Sequence, residues 1–143
     1  MAHRYLPIYD TEQKVGPAKP NLGGDVKLVQ ALIWSLKQLN DPVLKEVVPV
    51  PVTGIFTPPF AASILQTQKS LHSYNPRYVV DGVIDPLPSR SKQTGDWDRN
   101  YMNGAESTLL ALNYRLFRID RNLFFSIGET HGLPWKPDPF ATS

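Results

Sequence analysis

The chain has no cysteine among its 143 residues. Disulfides and thiolate metal sites are therefore excluded, and the redox character of its compartment is not encoded in cysteine usage. Histidine is scarce too. His3, His72 and His131 are far apart and form no H-E-x-x-H or similar ligand pattern, so a zinc site is not expected. No stretch approaches the roughly 20 apolar residues that a membrane-spanning helix needs, and no membrane association is expected. The first residues, Met1 to Asp10, lack an apolar run preceded by positive charge. The expectation is thus a protein cytoplasmic as synthesised, without a signal peptide, that reaches any periplasmic or cell-wall target by a non-standard route. Charge of one sign is also missing. The net charge is +2 with acids and bases interspersed, too little for the dense basic stripe of a nucleic-acid binder.

What is present is an ordinary globular balance, 41% hydrophobic and 20% charged, cut into pieces by 14 prolines. Proline interrupts helix interiors and central strands, so regular structure must lie between the clusters at Pro17/Pro20, Pro49/Pro51, Pro58/Pro59, Pro86/Pro88 and Pro134/Pro137/Pro139. Residues 1–24 read as an extended N-terminal arm. Arg4 to Tyr9 should dock on the body, and Thr11 to Gly24 reads as loop.

A first helix is predicted from Asp25, as N-cap or first-turn acid, to Leu39. Its apolar face is Val26, Val29, Leu32, Ile33, Leu36 and Leu39, and Asn40-Asp41-Pro42 ends it. Leu44 to Val52, broken by prolines, reads as loop with at most a short edge strand. A second helix begins at Thr57 as N-cap with Pro58 in the first turn, carries Phe60, Ala61, Ile64, Leu65, Gln68 and Leu71, and fades near Ser73. Asp81-Gly82 signals a turn, and residues 89–102 read as loop or linker. Residues 103–143 should hold a third long helix and a proline-rich tail. Asn103 and Glu106 suggest a capping box, Leu109, Leu112, Leu116, Ile119, Leu123 and Ile127 form the stripe, and Gly128 is the expected stop.

Three segments together resemble the peptidoglycan-binding-like domain. DVKLVQAL, Asp25 to Leu32, is similar to that family's V-x-x-x-Q-x-x-L helix through Val26, Gln30 and Leu32. VTGIFTPPFAASILQTQ, Val52 to Gln68, is similar to V-D-G-x-F-G-x-x-T-x-x-A-V-x-x-F-Q through Gly54, Phe56, Pro58, Ile64 and Gln68. VDGVID with Pro86 resembles the closing D-G-x-x-D/G-P turn. Thr53, Thr57 and Thr67 depart from the family's Asp, Gly and aromatic residue. The resemblance covers residues 25–88, somewhat under half of the chain.

The expected fold is accordingly all-α: a three-helix peptidoglycan-binding-like bundle, an added long C-terminal helix, and extended termini. The resemblance implies non-catalytic binding of cell-wall peptidoglycan, glycan or stem peptide, for instance as an accessory of a phage or contractile secretion system, with no cofactor and no metal. The expected site is a groove formed by Gly54, Ile55, Phe56, Thr57, Gln68, Tyr74 and Tyr78. There the N-terminus of the second helix would offer free N–H groups, Gln68 hydrogen bonds, and the tyrosines flat apolar faces. A different class of function is a protein–protein adaptor working through the C-terminal helix and the tail at Trp135. A third is a cell-wall hydrolase using a carboxylate pair such as Asp96/Asp98 or Glu106/Glu129. The arginines at 115, 118 and 121 read as a solvated helix face. Trp34, Trp97 and Trp135 read as aromatics that dock on the core.

Overall fold

The structure, a computed structural model, describes residues 7–86, 107–133 and 136–137, with backbone alone for 7–8 and 136–137. The protein is all-α. Among the described residues the helices are α1 (Gly23–Gln38), α2 (Pro58–Tyr74), α3 (Thr108–Ile119) and α4 (Arg121–His131), with a 3₁₀ turn at Pro42–Leu44. One two-residue pairing ties the ends of the chain together: β1 (Pro7–Ile8) runs antiparallel to β2 (Lys136–Pro137). No described helix is long and apolar enough to cross a membrane.

α1 is the central helix. Val26, Leu28, Val29, Ala31, Leu32, Ile33 and Leu36 are all buried, because α1 packs against both α3 and α4 and shares one apolar cluster with Phe60 and Ile64 of α2. Asp25 does not cap it; the N-cap position is Leu22, which makes no side-chain cap bond. The Asp25 carboxylate instead accepts the backbone N–H groups of Glu12 and Gln13, each at 3.0 Å, and so anchors the preceding loop to the first turn. At the other end Asn40 adopts φ +56, a left-handed conformation that asparagine tolerates, and the helix stops as expected.

The arm is part of the core. Tyr9 and Val15 are buried in one apolar cluster with Val26, Leu32, Ile64, Ile84, Leu112 and Phe124. Asn113 of α3 substitutes for a neighbouring strand: its amide accepts from Tyr9 N and donates to Tyr9 O, both at 2.9 Å. Val29 and Leu32 of α1 share this core with Ile64 of α2. Leu71 falls in a smaller cluster with Val43, Tyr78 and Ala111, because α2 has by then reached the 3₁₀ turn and α3.

The long C-terminal helix is two helices. Asp120 (φ −148, ψ 92) closes α3 and opens α4, its carboxylate accepting Leu123 N at 3.0 Å. Aspartate is a strong N-cap, and here that preference breaks a continuous apolar stripe. As a result Leu109, Leu112 and Leu116 keep to the core while Ile119 is exposed. α3 starts at Ser107, whose hydroxyl accepts Leu110 N at 3.1 Å; the expected cap residues Asn103 and Glu106 lie outside the described residues. Gly128 is no stop. It sits inside α4 with the Tyr9 phenol on top of it, and Gly132 (φ +62) ends the helix.

Candidate functional site

The glycines at 54 and 82 both occupy left-handed turns, φ +80 and +75, as the turn signals require. Each turn is gripped by a buried glutamine in the same way. Gln30 Oε1 accepts Thr53 N and Gly54 N, both at 2.8 Å, and its Nε2 donates to Ile55 O at 3.2 Å. Gln68 Oε1 accepts Asp81 N at 3.2 Å and Gly82 N at 2.7 Å, and its Nε2 donates to Val83 O at 2.8 Å. The residue before each glycine takes the N–H two residues on: Thr53 Oγ1 that of Ile55, Asp81 Oδ1 that of Val83. The two units answer to similar sequences, VTGIFTP and VDGVIDP. That internal repeat was the signal available in the sequence.

This geometry changes the reading of the expected site. Gln68 is 1% exposed, and its amide is engaged by the chain's own turn and by Thr108 Oγ1 at 3.3 Å. The first turn of α2, Pro58 to Ala61, offers no free N–H to an anion, since Ala61 N already donates to Thr57 O. Pro58 and Pro59 have none, and the N–H of Phe60 is taken by Thr57 Oγ1 at 3.3 Å. Gly54 to Thr57 and the tyrosines also lie at opposite ends of a 17-residue helix, about 25 Å apart. The expected residues therefore do not form one groove.

A cavity of about 430 Å³ does lie at the C-terminal end of α2, lined by Pro42, Val43, Leu71, Tyr74, Asn75, Tyr78 and Arg115. Its position follows from local structure. Asp41 caps the 3₁₀ turn by accepting Val43 N at 3.0 Å, which places Pro42 and Val43 on one wall. α2 ends at Tyr74, with Asn75 N donating to Leu71 O, and the chain turns so that Tyr78 packs inward. Tyr74 stands 69% exposed beside the opening while Tyr78 is 2% exposed in the wall. Arg115 of α3 completes the lining. It is held by a two-point contact with the buried Asp41 carboxylate, Nε to Oδ2 at 2.7 Å and Nη2 to Oδ1 at 2.6 Å. Reading Arg115 as part of a solvated face missed this role. Asp41-Pro42 is a helix stop and equally a cap for the next turn, and the burial that makes its carboxylate need a cation is set by the tertiary fold.

The remaining sequence candidates are dispersed. Arg118 lies over the Tyr114 ring at 5.5 Å and Arg121 over Phe117 at 4.6 Å, so the arginines of this face cover aromatics. His72 is exposed at the edge of α2, its Nδ1 2.8 Å from Tyr78 O. Among the described residues no group of three or more His, Asp and Glu side chains is placed to hold a metal ion. His3, Asp96, Asp98, Glu106, Trp97 and Trp135 lie outside the described residues. No family model, curated protein or solved structure matches this chain.

Proposed function

We propose that the protein is a non-catalytic binding module for bacterial cell-wall peptidoglycan, and that it takes its ligand in the cavity at the end of α2. The cavity itself carries the reading: a volume of about 430 Å³, apolar walls from Pro42, Val43 and Leu71, and a tyrosine ring standing free beside it. Ligand sites have this character, a concave apolar surface with a few polar groups. A sugar ring presents C–H faces that pack on the Tyr74 ring, and stem-peptide methyl groups suit the apolar walls. The Asn75 amide offers its NH₂ group as a donor, its oxygen already accepting the Arg77 N–H. The ligand class comes from the sequence resemblance. The residues that carry the resemblance, Gln30, Gly54, Gln68 and Gly82, build turns, so they speak for architecture more than for recognition.

Co-sedimentation with purified sacculi tests the proposal. The protein should pellet with sacculi in a saturable manner and release no soluble muropeptide. Protein left entirely in the supernatant at low salt would remove the wall-binding reading. The adaptor reading then takes its place, favoured by Ile119 and Phe125, both exposed on either side of the break at Asp120, with Phe125 packed beside the Phe117 and Phe124 rings.

A further inference from the structure

The two glutamine-held turns differ at their outer edges. In the second unit Val15 adds to the edge as a short antiparallel bridge: Val15 N donates to Ile84 O at 3.0 Å and Ile84 N donates to Val15 O at 2.8 Å. The position equivalent to Ile84 in the first unit is Phe56, and among the described residues no group bonds its backbone N–H or C=O. Exposure follows the same contrast. Ile84 is fully buried and Val83 half-buried, whereas Phe56 is half-buried and Ile55 is 63% exposed. A backbone edge left open in this way is a template for an added extended segment.

We propose that the edge at Phe56 docks an extended segment of a protein partner, added antiparallel as Val15 is added at Ile84. The occupied unit states what the segment must contain. A β-branched residue pairs with the edge and packs beside the turn, as Val15 does. Glycine follows it, because a Cβ on Gly16 would lie 2.8 Å from Gly82 O. The partner motif is therefore a β-branched residue followed by glycine in extended conformation. The site is distinct from the cavity and does not rest on wall binding.

The test uses the intact protein, amide-resolved NMR, and a synthetic peptide copying Glu12 to Pro17, EQKVGP, as probe. In the free protein the Phe56 amide should exchange with solvent on the order of a hundredfold faster than the Ile84 amide. A protected Phe56 amide would show the edge already covered and overturn the proposal. The probe should shift the amides of Ile55, Phe56 and Thr57 with a Kd on the order of 1 mM, as suits so short a segment. Probes carrying Val15→Pro, which removes the bridging N–H, or Gly16→Ala should lose most of that response. Silence at these amides, equal response to all three peptides, or shifts confined to Ile84 would each overturn it. So would stronger shifts at the same amides from soluble muropeptides, which would make a wall stem peptide the occupant.

Discussion

Arg115 and Asp41 meet through two parallel hydrogen bonds, with the carboxylate fully buried and the guanidinium side chain 21% exposed. The pair joins α3 to the turn that follows α1. Removing one partner of such a pair leaves a charge buried without compensation, which costs about 3–5 kcal/mol. Arg115→Leu should lose stability on that scale in urea denaturation. Adding Asp41→Asn should recover a large part, because the isolated charge is then gone. A single substitution that is neutral would show that the pair contributes nothing to joining the elements.

Gln68→Leu keeps the side chain's bulk but leaves Asp81 N, Gly82 N and Val83 O without their partner. Each buried backbone group so orphaned costs about 1–3 kcal/mol. The variant should lose at least 2 kcal/mol or so, and the loosened turn should speed hydrogen exchange at Val15 and Ile84. Gln30→Leu should give a similar loss of stability but leave exchange at Val15 unchanged. Equal acceleration at Val15 in both variants would contradict the two units being held separately.

The helices and the turn glycines were legible because each is a local matter. Val26, Val29, Leu32 and Leu36 repeat at helical spacing, Thr57-Pro58 is a start signal, and Gly54 and Gly82 take φ values that suit glycine. What the sequence did not disclose is set by partners distant along the chain. The Asp120 cap competes locally with an unbroken Leu/Ile stripe, and the break it makes goes with Phe124 and Ile127 packing into the same core as Leu109, Leu112 and Leu116. Gly128 looked like a stop because nothing nearby announces Tyr9. Likewise, Gln68 looked like a ligand-facing amide because the turn it holds comes later in the chain. The cavity needs Asp41, Tyr74 and Arg115 brought together, which no short motif records.

Gly128→Ala reverses an ordinary expectation. Within a helix the change normally stabilises by about 1 kcal/mol. Here the added Cβ would lie 2.8 Å from the Tyr9 Oη and 3.0 Å from a ring carbon, so the phenol must move and weaken its bonds to Gly128 N and Phe124 O. Thermal unfolding should show a lower Tm for Gly128→Ala, with part of the loss absent when the change is made in a Tyr9→Phe background. A raised Tm in the wild-type background would show that the contact gives way without cost.

Burial raises the Tyr9 phenol above its usual range. The Gly128 N–H bonded to it lowers it in part, and the nearby Glu129 carboxylate adds to the rise. The folded protein therefore holds the phenolic proton more tightly than the unfolded chain. That contribution is fully present below the unfolded value of about 10 and is lost as pH climbs from there through the folded value. Tm should fall more steeply between pH 9 and 11, roughly the window flanking that value, in wild type than in Tyr9→Phe. Parallel curves would exclude Tyr9 as the source.

Tyr74 and Tyr78 sit together in sequence but demand opposite experiments. Tyr74 is largely exposed, so Tyr74→Ala should change stability by no more than about 0.5 kcal/mol. Tyr78 lies in the small cluster with Val43, Leu71 and Ala111, and Tyr78→Ala should cost about 3–5 kcal/mol through the void it leaves. Replacing both would therefore confound lost binding with lost fold. The informative pair is Tyr74→Ala and Tyr78→Phe, the second keeping the wall of the cavity filled. If the cavity takes the wall polymer, Tyr74→Ala should weaken co-sedimentation with sacculi about tenfold, near 1.4 kcal/mol, with an unchanged urea midpoint. Tyr78→Phe should retain most of the binding. Undiminished sedimentation of Tyr74→Ala would move wall recognition away from this cavity, since the ring is the one large aromatic surface its opening presents to solvent among the described lining residues.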